Sequence, residues 1–98
     1  ALLGRLLAAY EENSVELVGA ISRALAGGAT DEVRRGAHAL KSSSGNVGAE
    51  RLFELCRTLE DAVRNRRLTQ LPDLVRALQQ EHGEVVEELR PWHRRRSA

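Results

Sequence analysis

Two residues of this chain have the chemistry and the spacing to handle a phosphoryl group. His38 and Lys41 are three apart, so on a helix they share one face. A neutral imidazole can attack phosphorus through one ring nitrogen while the other, protonated, is held by an acceptor. The group it takes up then needs a cation beside it, which Lys41 can supply. Arg34 and Arg35 lie one turn earlier on the same side, and Ser42 brings a hydroxyl one turn later. Small residues from Ser42 to Asn46 leave the face low. Gly45 and Gly48 would keep side chains out of the way of an approaching partner. Arg34, Arg35, Ser42, Gly45 and Gly48 are therefore the expected docking positions.

The parts needed to start such chemistry from a nucleotide are missing. The sequence has no glycine-rich Walker loop and no other glycine pattern suited to nucleotide phosphates. No acidic cluster stands beside His38 to carry magnesium. The expectation is a carrier without ATP-dependent kinase activity, with no cofactor or metal of its own. His82 falls on or near the core stripe of the last helix and His93 in the tail, so neither reads as catalytic, and the three histidines lack a zinc-ligand spacing. Cys56 sits mid-stripe, the place of a small buried hydrophobe.

The elements that must position His38 follow from apolar periodicity. Leu2, Leu3, Leu6, Leu7 and Tyr10 predict a short amphipathic helix over 1–12. Asn13 or Ser14 then caps a second helix carrying Leu17, Val18, Ile21 and Leu25, which ends at Gly27-Gly28. Thr30 is the expected cap of a third helix, to about 44, whose inner side is thin: Val33, Gly36, Ala37, Leu40 and Ser44. Gly45, Asn46 and Gly48 read as a turn. The fourth helix, about 49–65, has the strongest stripe: Leu52, Leu55, Cys56, Leu59, Ala62 and Val63, with Asn65 at its end. Thr69 and Pro72 open a fifth helix carrying Leu71, Leu74, Val75, Leu78, His82, Val85, Val86 and Leu89. It closes at Pro91. The predicted fold is all-α: an antiparallel four-helix bundle over 13–90 with a short additional N-terminal helix and a basic tail over 91–98.

Bulk composition agrees. Of 98 residues, 42% are hydrophobic and 30% charged, which fits a soluble globular domain and not a disordered chain. A single cysteine excludes an intrachain disulfide and fits a reducing compartment. No apolar run is long enough for a membrane span, so no membrane insertion is expected. The four arginines of residues 90–98 account for more than the net charge of +1, leaving residues 1–89 at −3. An acidic body argues against a nucleic-acid partner.

Residues 37–49, AHALKSSSGNVGA, resemble the signature of the histidine-containing phosphotransfer (Hpt) domain, whose pattern is close to A-H-x-L-K-G-S-S-x-x-x-G-A. His38 stands at the phospho-accepting position and Lys41 at the phosphoryl-contacting one. Leu40 is the core anchor, Ser43 and Ser44 match the small polar pair, and Gly48-Ala49 closes the match. Leu59-Glu60 resembles the family's pattern in the next helix. Ser42 departs from it, standing where Gly is usual.

The resemblance implies a four-helix bundle with His38 projecting from the middle of a helical hairpin. It implies a phosphorelay intermediate that accepts a phosphoryl group from a response-regulator receiver aspartate and passes it to another. Magnesium is expected on the partner receiver. His38 would act through Nε2, with Lys41 sharing the charge of the transferring oxygens. Glu60 is the candidate to hold Nδ1; equally, it reads as a solvated glutamate paired with Arg57 or Arg64. A monomeric, cytoplasmic domain is expected, either free-standing or the C-terminal part of a hybrid sensor histidine kinase. The chain's start without Met fits an excised piece. The other reading is a non-catalytic docking and regulatory helical bundle.

Overall fold

The structure, a computed structural model, describes residues 2–97, apart from the side chains of residues 93–97. It consists of α1 (Leu2–Ala26), α2 (Thr30–Asn46), α3 (Glu50–Arg64), a 3₁₀ turn (Leu68–Gln70) and α4 (Leu71–Ser97). Each helix packs on its neighbour in sequence, and α4 returns to α1. This is the expected all-α four-helix bundle. Its core comes from one stripe of each helix: Ile21 and Ala24, Val33, Ala37 and Leu40, Leu52, Cys56 and Leu59, Leu71, Val75 and Leu78.

The N-terminal segment is helical as expected, but it runs without a break into the helix that follows. Asn13 and Ser14 do not start a new helix there. The Ser14 hydroxyl donates backward to the Glu11 carbonyl at 3.2 Å instead of capping forward. No proline or glycine interrupts residues 8–18, so the α1 ladder continues. Other end signals also moved. Ala29, not Thr30, is the N-cap of α2, and no side chain caps it. Gly45 and Asn46 belong to the last turn of α2, and the connection is Val47-Gly48-Ala49. Thr69 lies in the 3₁₀ turn rather than capping α4. Pro91 sits inside α4, which continues to Ser97; proline's fixed φ is itself helical, so the chain can continue past it. The arginine side chains of the expected tail at 94–96, and that of His93, lie outside the described residues.

Three helices end in the same backbone motif. After α1 the Ala29 N–H reaches the Ala24 carbonyl at 2.9 Å, after α2 the Ala49 N–H reaches Ser44 at 2.9 Å, and after α3 the Arg67 N–H reaches Ala62 at 2.8 Å. This six-to-one closure needs a left-handed residue just before it. Gly28 (φ 71°) and Gly48 (φ 77°) fill that place in the first two, but Arg66 (φ 58°) fills it in the third. A side chain in that conformation costs about 1–2 kcal/mol relative to its ordinary backbone state.

The thin inner side of α2 lets α1 approach closely. A methyl group on Gly36 would lie 2.6 Å from Cγ1 of the buried Ile21. Gly36→Ala would recover about 1 kcal/mol of helix propensity and lose about 1–3 kcal/mol to overpacking. The expected result in urea denaturation is a loss of about 1 kcal/mol. An increase would mean that Ile21 turns aside freely.

Polar pairs tie the helices where the stripes alone leave their rotation open. Tyr10 of α1 and Ser44 of α2 share a buried hydrogen bond of 2.8 Å. Ser14 Oγ lies 2.8 Å from Nε2 of the buried His82 on α4. Burial raises the Tyr10 phenol pKa, with the Ser44 bond opposing it, and burial lowers that of His82, with the Glu11 charge opposing. Toward the N-terminus of α1, Leu2, Leu3 and Leu6 remain 71%, 44% and 58% exposed.

Candidate functional site

His38 and Lys41 lie on the side of α2 that faces α3, and what they meet is Glu60. His38 Nδ1 is 2.9 Å from Glu60 Oε2, and Lys41 Nζ is 2.6 Å from Oε1. Arg64, one turn further along α3, brings Nη2 within 3.7 Å of Oε2. The Glu60 side chain is 1% exposed and that of His38 60%. A buried carboxylate therefore holds an outward-facing imidazole from behind.

The sequence builds this arrangement from two local facts. In α2, Val33, Ala37, Leu40 and Ser44 are buried, which turns the ridge of His38 and Lys41 to the edge of the hairpin. In α3, Leu52, Cys56 and Leu59 are fully buried, and Glu60 follows Leu59 on the flank nearest α2. A charge there is tolerable only if it is paired. Burial pushes the Glu60 carboxyl upward, but the Lys41 contact, the His38 hydrogen bond and their charges outweigh it, so its pKa is lowered. The Lys41 contact is short but poorly aligned, leaving Oε1 without a formal hydrogen bond; charge rather than direction holds it.

The ionised Glu60 can only accept, so His38 Nδ1 must donate. In the neutral ring this leaves the lone pair on Nε2, away from Glu60 and toward solvent. An unprotonated nitrogen backed by a carboxylate is a nucleophile whose developing positive charge is met in advance. Cys56 is no competitor: burial, then the charge of Glu60, push its thiol up to about 12.

The docking positions divide into two groups. Ser42, Gly45 and Gly48 are exposed. Ser42 Oγ donates weakly to the His38 carbonyl at 3.4 Å, Gly45 lies against Phe53, and Gly48 has open space where a side chain would stand. Arg34 and Arg35 are both held by Asp31, at 3.0 and 2.8 Å. Of the two partners weighed for a solvated Glu60, Arg57 pairs instead with Glu54 and Asp61. Arg64 does approach Glu60, but beside His38 and not in place of it. The polar ties through Tyr10 and Ser14 have no periodic signal of their own. Polar groups on buried stripes, Ser44 and His82, were their trace in the sequence.

A helical bundle that presents an imidazole to solvent from the middle of a hairpin, held by a carboxylate on the adjoining helix, is a histidine phosphotransfer module. The chain belongs to the Hpt domain family, whose profile matches residues 5–88. Among solved structures it is similar to histidine-containing phosphotransfer protein B (HptB) from Pseudomonas aeruginosa PAO1. The identity is 28% over 94% of this chain and 80% of that one, with a TM-score of 0.90. No curated protein sequence matches it. The domain is thus a phosphorelay module that takes and gives a phosphoryl group on a histidine, with response-regulator receiver domains as its partners. No described helix is long and apolar enough to cross a membrane.

Proposed function

We propose that His38 is the phosphoryl acceptor of this relay module, with Glu60 as its orienting carboxylate and Lys41 as the cation on the transferred group. The observation that carries the assignment is the 2.9 Å bond from His38 Nδ1 to Glu60 on a ring that is 60% exposed. Nε2 attacks the phosphorus of a receiver phosphoaspartate in line. The N–P bond forms as the acyl P–O bond breaks, and the aspartate leaves as a carboxylate. Positive charge grows on the imidazole and is met by Glu60 through Nδ1–H. The reverse transfer follows the same path. Magnesium held by the receiver would neutralise phosphoryl oxygens from the partner's side.

Lys41 must exchange part of its contact with Glu60 for the incoming oxygens, and its side chain, 23% exposed, has room to do so. Lys41→Ala is expected to slow transfer by about 10- to 100-fold without abolishing it, read in single-turnover transfer from a phosphorylated receiver. An unchanged rate would remove Lys41 from the site. Ser42, Gly45 and Gly48 form the low surface against which the receiver settles, with Arg34 and Arg35 on the other side of His38. This reading places the domain in the cytoplasm, alone or attached to a hybrid sensor kinase. Its test is a panel of phosphorylated receiver domains: acid-labile label must reach this chain from at least one of them.

A further inference from the structure

Arg66 occupies a backbone position that the fold itself would give to glycine. The same helix-end motif closes α1 and α2 with Gly28 and Gly48, and only α3 closes with a side chain at the left-handed residue. Nothing in the packing explains the exception. Arg66 is exposed, and the ion pairs and hydrogen bonds of the described residues do not include its guanidinium. A residue held in an unfavourable conformation without a structural partner points to a role outside the fold.

Its side chain lines a cleft of about 310 Å³ between the start of α2 and the end of α3, together with Thr30, Arg34, Val63, Arg64 and Leu68. Asp31 also borders the cleft but is occupied by Arg34 and Arg35. Counting Asp31, the lining charges leave an excess of two positive. The cleft adjoins the His38–Glu60 pair through Arg64. Arg64, on its wall, lies 3.7 Å from the Glu60 oxygen that accepts from His38, and Arg34 stands one helical turn before His38. A helical side chain leans toward its own N-terminus, so the His38 ring leans toward this cleft. A receiver seated on His38 must cover it, because a stable interface extends well beyond one helical turn from its centre.

We propose that the Arg34–Arg64–Arg66 cleft is a docking pocket for an acidic side chain of the partner receiver, with Arg66 as its added, specificity-determining contact. The inference rests on His38 as the reaction centre. The occupant is a carboxylate because Arg66 offers a planar guanidinium suited to paired hydrogen bonds, while Arg34, shared with Asp31, and Arg64, near Glu60 and Asp61, add positive charge beside it. It lies a turn away from His38, displaced from the transferring phosphorus.

The test uses Arg66→Gly and Arg66→Lys against the receiver that labels the unsubstituted chain fastest. Glycine relieves the left-handed backbone, so the thermal midpoint of Arg66→Gly is expected to hold or rise. Its calorimetric Kd for that receiver is expected to rise about tenfold and to lose part of its salt dependence. Arg66→Lys keeps the charge and is expected to restore part of the affinity. An unchanged Kd for Arg66→Gly overturns the proposal and leaves His38 as acceptor untouched. An unchanged Kd with slower transfer at saturating receiver also overturns it, by moving Arg66 onto the phosphoryl group. No label on the unsubstituted chain from any receiver overturns the acceptor assignment, and this proposal falls with it.

Discussion

Purified His38→Gln is expected to take up no phosphoryl label from any receiver that labels the parent chain. The loss is total because the amide nitrogen of Gln is not a nucleophile toward phosphorus, and no other described imidazole stands in for it: His82 is buried against Ser14. The fold is expected to survive within about 0.5 kcal/mol, as for other exposed substitutions. His38 is 60% exposed, its tie to α3 is the one bond to Glu60, and a glutamine amide can still donate to that carboxylate. Glu60 also keeps Lys41 and Arg64. The measurements are autoradiography after acid and alkali treatment, and circular dichroism on heating. Acid-labile label on His38→Gln would sink the assignment outright.

Glu60→Ala is expected to carry the next largest effect, on rate and on stability together. Without the carboxylate, nothing selects the tautomer that exposes the Nε2 lone pair, and nothing meets the charge that grows on the ring. Loss of an orienting carboxylate of this kind slows a reaction by on the order of 10² to 10⁴. The fold loses about 1–3 kcal/mol, below the range for breaking a fully buried ion pair, because Lys41 can turn to water. Glu60→Gln separates the two roles: its carbonyl still accepts from Nδ1–H but brings no charge, so its transfer rate should fall between parent and alanine variant. A Glu60→Ala protein that transfers at the parent rate would show that the carboxylate does not hold the reactive tautomer.

Acid should expose the same pairing. The folded-state pKa of Glu60 lies below the ordinary 4.5. Its stabilisation is therefore full above that value and is lost as pH falls through the lowered one. The acid loss of stability should be shallower in Glu60→Ala than in the parent. Equal slopes would mean that the pairs at Glu60 contribute nothing to folding.

How far the site could be read in advance differs residue by residue. Helical spacing alone put His38 and Lys41 on one face, and the thin inner side of α2 foretold the close approach at Gly36. For Glu60 the sequence offered two partner sets of equal weight, the one across the hairpin and the ones on its own helix. Sequence-local rules favour Arg57 and Arg64, since both are within one turn. The choice of His38, 22 residues away, depends on how α2 and α3 are rotated and offset against each other. The break expected at Asn13-Ser14 failed for a related reason. A polar residue reads as a cap when its partners are unknown, and here Ser14 has His82, 68 residues away, as its partner. Nothing in the sequence singles out Arg66; only the backbone angle sets it apart.

By itself, then, the sequence determined the all-α class, the buried stripes, the histidine with a cation on the same face, and the small residues after them, because all of these are written in spacings of three and four along one chain segment. The tertiary structure decided which carboxylate holds the imidazole, which ring nitrogen faces away from it, and which arginines share a cleft. Each of those is a relation between helices, set by the mutual rotation and offset at which their buried side chains interlock, and no single segment carries that information.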